Sequence, residues 1–472
     1  MDSLQNGHTM QRTRHRHILG TICIALAMLN SVCAEDTPAT KQLKARNKEF
    51  REEVIKVADN VYTAVGFSVS NVSMIVGKSG VVIIDTGLDT FRAKKILAEF
   101  RKITDKPVRA IIFTHGHGDH TGGASVFVGD GKPEIWAHAN FESEARHWKN
   151  AGLTIQQLRG ARQGGFRLPR TQRINNGIAP AQYPKRKGSV FNPRGVRPTH
   201  LLRSNRKRLE IAGVTLELVQ APGETNDQIY VVIPDRKVLF SGDNFYKSFP
   251  NLYAIRGTPK RDVRVWAKSL TGMLKEDPKA LVGGHTRPII GRDKVKAVLT
   301  DFRDAVKFVH DKTVEGMNKG MTPDQLVNYV KLPDRLAKKE YLRQFYGNVE
   351  WGVRHVFSFY VGWFDGNPTN LFRLSPRKEA KRMAELAGGK DRLLQQARQA
   401  FKKGDVQWTA QLTDYLLALE PNSKVAMNLK ADALTILGER CLTATGRNYY
   451  LTVAQELHQQ AMGRKPKKNS SK

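Results

Sequence analysis

The chain has 472 residues, 40% hydrophobic and 26% charged, which suits a folded protein of two or three domains and excludes a wholly disordered, collagen-like or coiled-coil chain. Against 44 acidic residues stand 77 basic ones, a net charge of +33, so anions of some kind are expected partners.

In chain order, the first element is a leader. Arg12, Arg14 and Arg16 precede an apolar run over 18–29, too short to span a bilayer comfortably, and Val32-Cys33-Ala34 offers small residues for cleavage. Segment 1–34 is therefore expected to be a signal peptide, with the mature protein secreted or periplasmic and without a stable membrane span. Removal of Cys23 and Cys33 with the leader leaves Cys441 alone, so no intramolecular disulfide is expected. Residues 36–60 read as a polar lead-in, helical or extended. Short apolar runs at 61–65, 73–76 and 81–84, the last two separated by Gly77 and Gly80, read as adjacent strands. Residues 92–102 have helical spacing through Ala93, Ile96, Leu97 and Phe100. Further strands are expected at 108–113, 214–219, 229–233 and 238–240. This mixture predicts an α/β layered domain over 35–300. Within it, 158–200 is rich in Gly, Arg, Pro and Asn and reads as a long inserted loop, of the kind that forms lids or substrate-binding loops. From 301 to 460 the pattern turns all-helical, with helices at 301–320, 322–330 and 377–386. Paired antiparallel helices over 391–419 and 423–437 are partly tetratricopeptide-like. Residues 461–472 read as a basic tail.

The strongest chemical signal is Thr114-His115-Gly116-His117-Gly118-Asp119-His120, directly after the strand at 108–113. Four potential ligands fall within six residues, on a loop that glycines allow to turn sharply. His115 and His117 can converge on one ion, and Asp119 and His120 on a second. Imidazole and carboxylate suit zinc well.

With Asp85-Thr86-Gly87 at the end of the preceding strands, this motif resembles that of the metallo-β-lactamase superfamily, whose fold is an αββα sandwich. The family's third ligand comes from Pro-Gly-His-Thr; this chain has Pro222-Gly223-Glu224-Thr225. Ser241-Gly242-Asp243 stands where the bridging carboxylate is expected, and Gly283-Gly284-His285 where the last histidine is. Glutamate at the third step resembles the alkylsulfatase branch. So do Asn251-Leu252-Tyr253-Ala254-Ile255-Arg256-Gly257, Asp304 with His310-Asp311, Tyr360-Val361-Gly362-Trp363-Phe364-Asp365-Gly366-Asn367-Pro368, and the stretch from Asn448-Tyr449-Tyr450 to Gln455-Glu456-Leu457. The resemblance runs from about residue 55 to 458 and implies a catalytic domain followed by a helical dimerisation domain, hence a homodimer. It implies two Zn2+ ions, with His115, His117 and Glu224 on the first, Asp119, His120 and His285 on the second, and Asp243 bridging. The same ligands would accept iron or manganese. The implied reaction is hydrolysis of an alkyl sulfate to alcohol and inorganic sulfate by hydroxide generated at the two-metal site. Asp119 and Asp243 stand at the reacting centre, and Arg256 would grip the sulfate through its planar fork.

Three departures from the branch bear on the substrate. A histidine expected after Tyr-Gly is Trp351 in Tyr346-Gly347-Asn348-Val349-Glu350-Trp351-Gly352, and His355, one helical turn further, is the expected substitute in substrate binding. The lipid-carrier-like domain that usually follows is not expected here. The bridging acid is Asp243 where the branch tends to have glutamate. Alternatives are another hydrolase on the same scaffold, such as a lactonase, phosphodiesterase or β-lactamase. A nucleic-acid-binding protein is suggested by the charge but opposed by the leader and by the lack of a basic-aromatic motif. A non-catalytic binder of anionic lipid is opposed by the intact ligands.

Overall fold

The computed structural model describes residues 35–181, 190 and 195–464. The leader expected over 1–34 and the end of the basic tail lie outside the described residues, and so does part of the insertion.

Two sheets form the centre. The first holds β1 (Glu53–Ala58), β2 (Val61–Val65), β3 (Val72–Val76), β4 (Val81–Ile84), β5 (Val108–Ile112), β6 (Glu134–His138) and β7 (His200–Leu202) in sequential order. Its first four strands form an antiparallel meander, and β4 to β7 run parallel. The second sheet holds β8 (Arg206–Ile211), β9 (Val214–Gln220), β10 (Ile229–Ile233), β11 (Val238–Gly242), β12 (Ala280–Gly283) and β13 (Ile289–Ile290), antiparallel except for β11 beside β12.

Side-chain alternation explains the layering. Val82 and Ile84 of β4 meet Leu218, Val231 and Phe240 of the other sheet in the central core. Val81 and Ile83 point the opposite way, onto Ala93, Ile96 and Phe100 of the helix Thr90–Arg101. All four residues are buried because both faces are covered. On the far side, Tyr230, Leu239 and Leu281 pack under Trp266 and Leu270 of the helix Val263–Lys275, and under Phe302 and Val306 of Arg292–Asn318. The result is the expected αββα sandwich. The same outer core continues into Leu326, Val349 and Val353 of the helical region.

Differences from expectation lie where hydrophobic pattern is weak. The lead-in, read as helical or extended, is the helix Pro38–Arg46 followed by the charged edge strand β1, whereas β8, which carries Arg206, Lys207, Arg208 and Glu210, was not foreseen. Charged edge strands resist stray pairing but hide from an apolar scan. The insertion read as loop from 158 begins instead within a helix, Ile155–Gln163. Segment 391–419, expected to pair with 423–437, is itself two helices, Lys390–Lys402 and Val406–Leu419; Gly404 turns between them at φ +78°, and Asp405 caps the second by accepting from the Trp408 N–H. They pack with Lys424–Arg440 and Ala444–Ala461 around small cores of Ala, Leu and Val. Among the described residues no helix is long and apolar enough to cross a membrane.

Candidate metal centre

The donor residues collect where strands of both sheets end, the edge at which open α/β sheets place their ligands. His115 to His120 follow β5, Glu224 follows β9, Asp243 follows β11 and His285 follows β12. Asn71 ties the two sheets together there, its Nδ2 donating to the carbonyls of Gly283 and Thr286. The close approach is permitted by missing side chains. A Cβ on Gly116 would lie 2.6 Å from the Glu142 nitrogen, and one on Gly284 would lie 2.0 Å from Asp243 Oδ1.

Two groups of donor atoms result, each within 4.8 Å of one another: His115, His117, Glu224 and Asp243, then Asp119, His120 and His285. Asp243 reaches toward both, with Oδ1 3.3 Å from His120 Nε2, and Oδ2 3.1 Å from His285 Nε2 and 3.9 Å from His115 Nε2.

Each imidazole is oriented by a bond on its far nitrogen, which fixes the inward nitrogen as the bare one. Asp85, held at φ +58°, accepts from the Thr114 N–H and hydroxyl and from His120 Nδ1 at 2.7 Å. The Thr114 hydroxyl, already donating to Asp85, accepts from His115 Nδ1 at 3.1 Å. His285 Nδ1 donates to the Val69 carbonyl at 2.8 Å. His117 is reversed: Nε2 faces Glu144 Oε2 at 3.3 Å, and Nδ1 faces Glu224 Oε2 at 3.3 Å. Inside the cluster His115 Nε2, His120 Nε2, Glu224 Oε2 and Asp243 Oδ1 are buried without hydrogen-bond partners. Partnerless buried nitrogens and carboxylate oxygens, converging in two groups, are the donor set that divalent cations fit once the imidazoles give up their protons.

Arg256 lies beside this cluster. Its Nη2 donates to Glu144 Oε1 at 2.9 Å and lies 3.3 Å from His117 Nε2, while its backbone N–H donates to Gln163 Oε1. A cavity of about 310 Å3 is lined by Asp119, Glu224, Asp243, His285 and Arg256, with Asn176, Ile178 and Tyr346 across from them. A second hollow of about 510 Å3 shares His117 and Arg256 and runs out past Trp148 and Leu153.

The expected substitute His355 does not reach either hollow. It is 4% exposed, its Nε2 donates to the Arg261 carbonyl at 2.7 Å, and its ring stacks on Tyr253. The helix Val349–Val361 turns that face into the protein core, so one helical turn beyond Trp351 does not lead to the cavity. Trp351 itself faces the last helix, where a Cβ on Gly446 would lie 3.2 Å from its ring.

Sequence reading gave no role to Asp85, Glu144, Asn176, Arg261 or Tyr346. One of them, Tyr346, is held from afar by the last helix, and so is Asn175 beside Asn176. Asn448 Nδ2 donates to the carbonyls of Gln163 and Asn175, Arg447 to that of Gln172, and the Thr445 hydroxyl to that of Tyr346. Arg162 and Arg167 pair with Glu456. The described part of the insertion is thus tied to the last helix beside the cavity that Asn176 and Ile178 line.

The charges respond to this packing. Burial, reinforced by His120 and His117, pushes His115 well below the usual imidazole range. Burial also opposes charge on His117, but the Glu224 and Glu144 carboxylates outweigh it and raise its pKa to about 9. His120 and His285 are likewise raised, against burial, chiefly by Asp243. Asp243, which burial alone would push up, is held well below the carboxylate range by His285 and His120. Raised imidazoles stabilise the metal-free fold fully below an unfolded value of about 6.5 and lose that contribution as pH climbs through the folded values. Depressed Asp243 contributes above about pH 4 and loses its contribution as pH falls further. The chelated protein is therefore expected to melt at a lower temperature at pH 9 than at pH 6. The metal-loaded protein should gain over that range, because its ligands bind deprotonated. Parallel melting curves with and without chelator would contradict the assignment.

Comparison with known proteins agrees with this architecture. Residues 65–285 match the metallo-beta-lactamase superfamily model, and residues 322–460 the model for alkyl sulfatase dimerisation. A linear primary-alkylsulfatase from a Pseudomonas species is 36% identical over 393 residues, covering 81% of this chain and 73% of the relative. The alkyl/aryl-sulfatase of Saccharomyces cerevisiae is 32% identical over 86% of this chain and 64% of its own length. Among solved structures, the stereoselective inverting sec-alkylsulfatase from a Pseudomonas species superposes with a TM-score of 0.82 at 32% identity, over 90% of this chain and 68% of its own. With both family models matched in order and the sandwich and helical region in place, the chain belongs to the alkylsulfatase branch of the metallo-β-lactamase superfamily.

Proposed function

We propose that this protein hydrolyses alkyl sulfate esters to an alcohol and inorganic sulfate, using two divalent metal ions, zinc first among them. The observation that carries the reading is the pairing of two orphaned donor groups with Arg256 in a single cavity. His115, His117 and Glu224 would hold one ion and Asp119, His120 and His285 the other, with Asp243 within reach of both groups. Ions bound there supply Lewis acidity and a deprotonated water near neutral pH.

The chain's own groups do the rest. Arg256 offers its planar fork to the sulfate oxygens, and Glu144 and Gln163 keep it aimed. Asp119, the more open of the two aspartates, faces the cavity, and its carboxylate oxygen not turned to His285 would take the proton of the attacking water. Burial raises the Tyr346 phenol above its usual range, so it stays protonated and presents an O–H toward the departing ester oxygen. Trp148 and Leu153 give the alkyl chain an apolar way out.

Self-association belongs to the same reading. Trp363 and Phe372, 75% and 95% exposed beside Val361 and Leu374, are large apolar side chains that a second copy would cover.

Zinc-loaded protein spanning 35–472 is expected to release inorganic sulfate from dodecyl sulfate and to stop when a chelator is added. No release with two zinc ions bound would sink the alkyl sulfate reading and turn the search to other anionic esters. The same sample should sediment at twice its chain mass.

A further inference from the structure

Glu224 adds a negative charge to a group that already contains Asp243, at a position only 2% exposed. Its two oxygens are divided. Oε1 forms an ion pair with Arg261 Nη2 at 2.7 Å, a contact of charges without hydrogen-bond alignment, whereas Oε2 has no hydrogen-bond partner and lies 3.3 Å from His117 Nδ1. The Glu224 backbone is fixed separately, its N–H donating to Asn244 Oδ1 at 3.0 Å. Arg261 is itself 3% exposed, and other residues converge on it: Nη1 donates to the Asn251 carbonyl, and its own carbonyl receives His355 Nε2. Both Asn251 and His355 therefore act on Arg261.

We propose that Arg261 is a positioning residue for the first metal: by holding Oε1 and cancelling its charge, it makes the Glu224–Arg261 pair a neutral ligand that offers one oxygen, the electrical equivalent of an imidazole. A buried carboxylate without a partner is costly, and so is a buried guanidinium, so neither member tolerates exchange alone. With Oε1 held by the arginine, the carboxylate faces the cluster through Oε2 only. The inference rests on the two-metal reading of this site, but not on any particular ester.

A double-mutant cycle tests it without substrate: Glu224→His, Arg261→Met and the two together, compared for zinc retained per chain after dialysis and for melting midpoint in chelator. Each single substitution strands a buried charge and is expected to lower the chelated midpoint by about 5 °C or more, with the Glu224→His protein retaining less zinc than wild type. The double variant should recover both readouts, because an imidazole needs no counter-charge and methionine fills the volume of the arginine stem. Additive losses in the double variant would overturn the proposal, and so would an Arg261→Met protein with an unchanged chelated midpoint. Should Arg261→Met fail to fold, Arg261→Lys poses the same question: charge kept predicts zinc kept, and zinc lost with the charge present contradicts it. Wild-type protein that binds zinc but releases no sulfate would defeat the alkylsulfatase reading and leave this cycle interpretable.

Discussion

Replacing Asp243 with asparagine is expected to lower sulfate release by about a thousandfold and to reduce bound metal below two ions per chain. Metal-based charge stabilisation amounts to several kcal/mol, and each 1.36 kcal/mol is a factor of ten in rate. Asp243 is the carboxylate whose two oxygens face His120, His285 and His115 together. Asparagine keeps the shape, removes the charge, and turns an N–H2 toward bare imidazole nitrogens. Side chains of both groups then lose their common counter-charge. Metal analysis alongside kcat/KM checks this, and a variant that keeps two ions and normal turnover would remove Asp243 from the centre.

The second large effect is expected at Arg256. Truncation to alanine removes the cation beside the cavity and leaves Glu144 buried against His117 alone. Losing one partner of a buried charged contact costs about 2–5 kcal/mol, roughly 30- to several thousand-fold in kcat/KM for the sulfate ester. Lysine restores charge without the two-pronged geometry, so Arg256→Lys should fall between the alanine variant and wild type. Inhibition by inorganic sulfate supplies an independent readout, and its inhibition constant should rise in parallel. Unchanged sulfate inhibition in Arg256→Ala would show that the ion pair with Glu144 is only structural.

The legible part of this site was the part written locally. His115, His117, Asp119 and His120 announce themselves because four donors crowd one loop. Glu224, Asp243 and His285 needed the family resemblance, since a single acid or histidine after a strand carries no signature of its own. Asp85, Glu144 and Arg261 act on donors that lie 35, 27 and 37 positions away in sequence, respectively. No spacing rule connects such residues; only the meeting of strand ends does. His355 shows the converse error, a plausible helical offset that ignored which face of its helix packs inward. The helix Ile155–Gln163 was read as loop because only Ala161 and Gln163 of its nine residues are buried. It is held by contacts to the last helix rather than by an apolar stripe.

That strapping sets an order of events as the chain folds. The strands that carry the imidazoles are complete by residue 283, and they can pair without the last helix. The N-terminal helix can already hold Asn175 and Gly177 through Leu43 and Arg46, but Gln163 and Asn175 gain their bonds from Asn448 last, closing loops of 285 and 273 residues. Gln163 in turn receives the Arg256 backbone. Since synthesis proceeds from the N-terminal end and distant contacts form slowly, the donor cluster is expected to assemble before the support of Arg256 is complete. An immature chain would thus gather its donor side chains while Arg256 still lacks its full support.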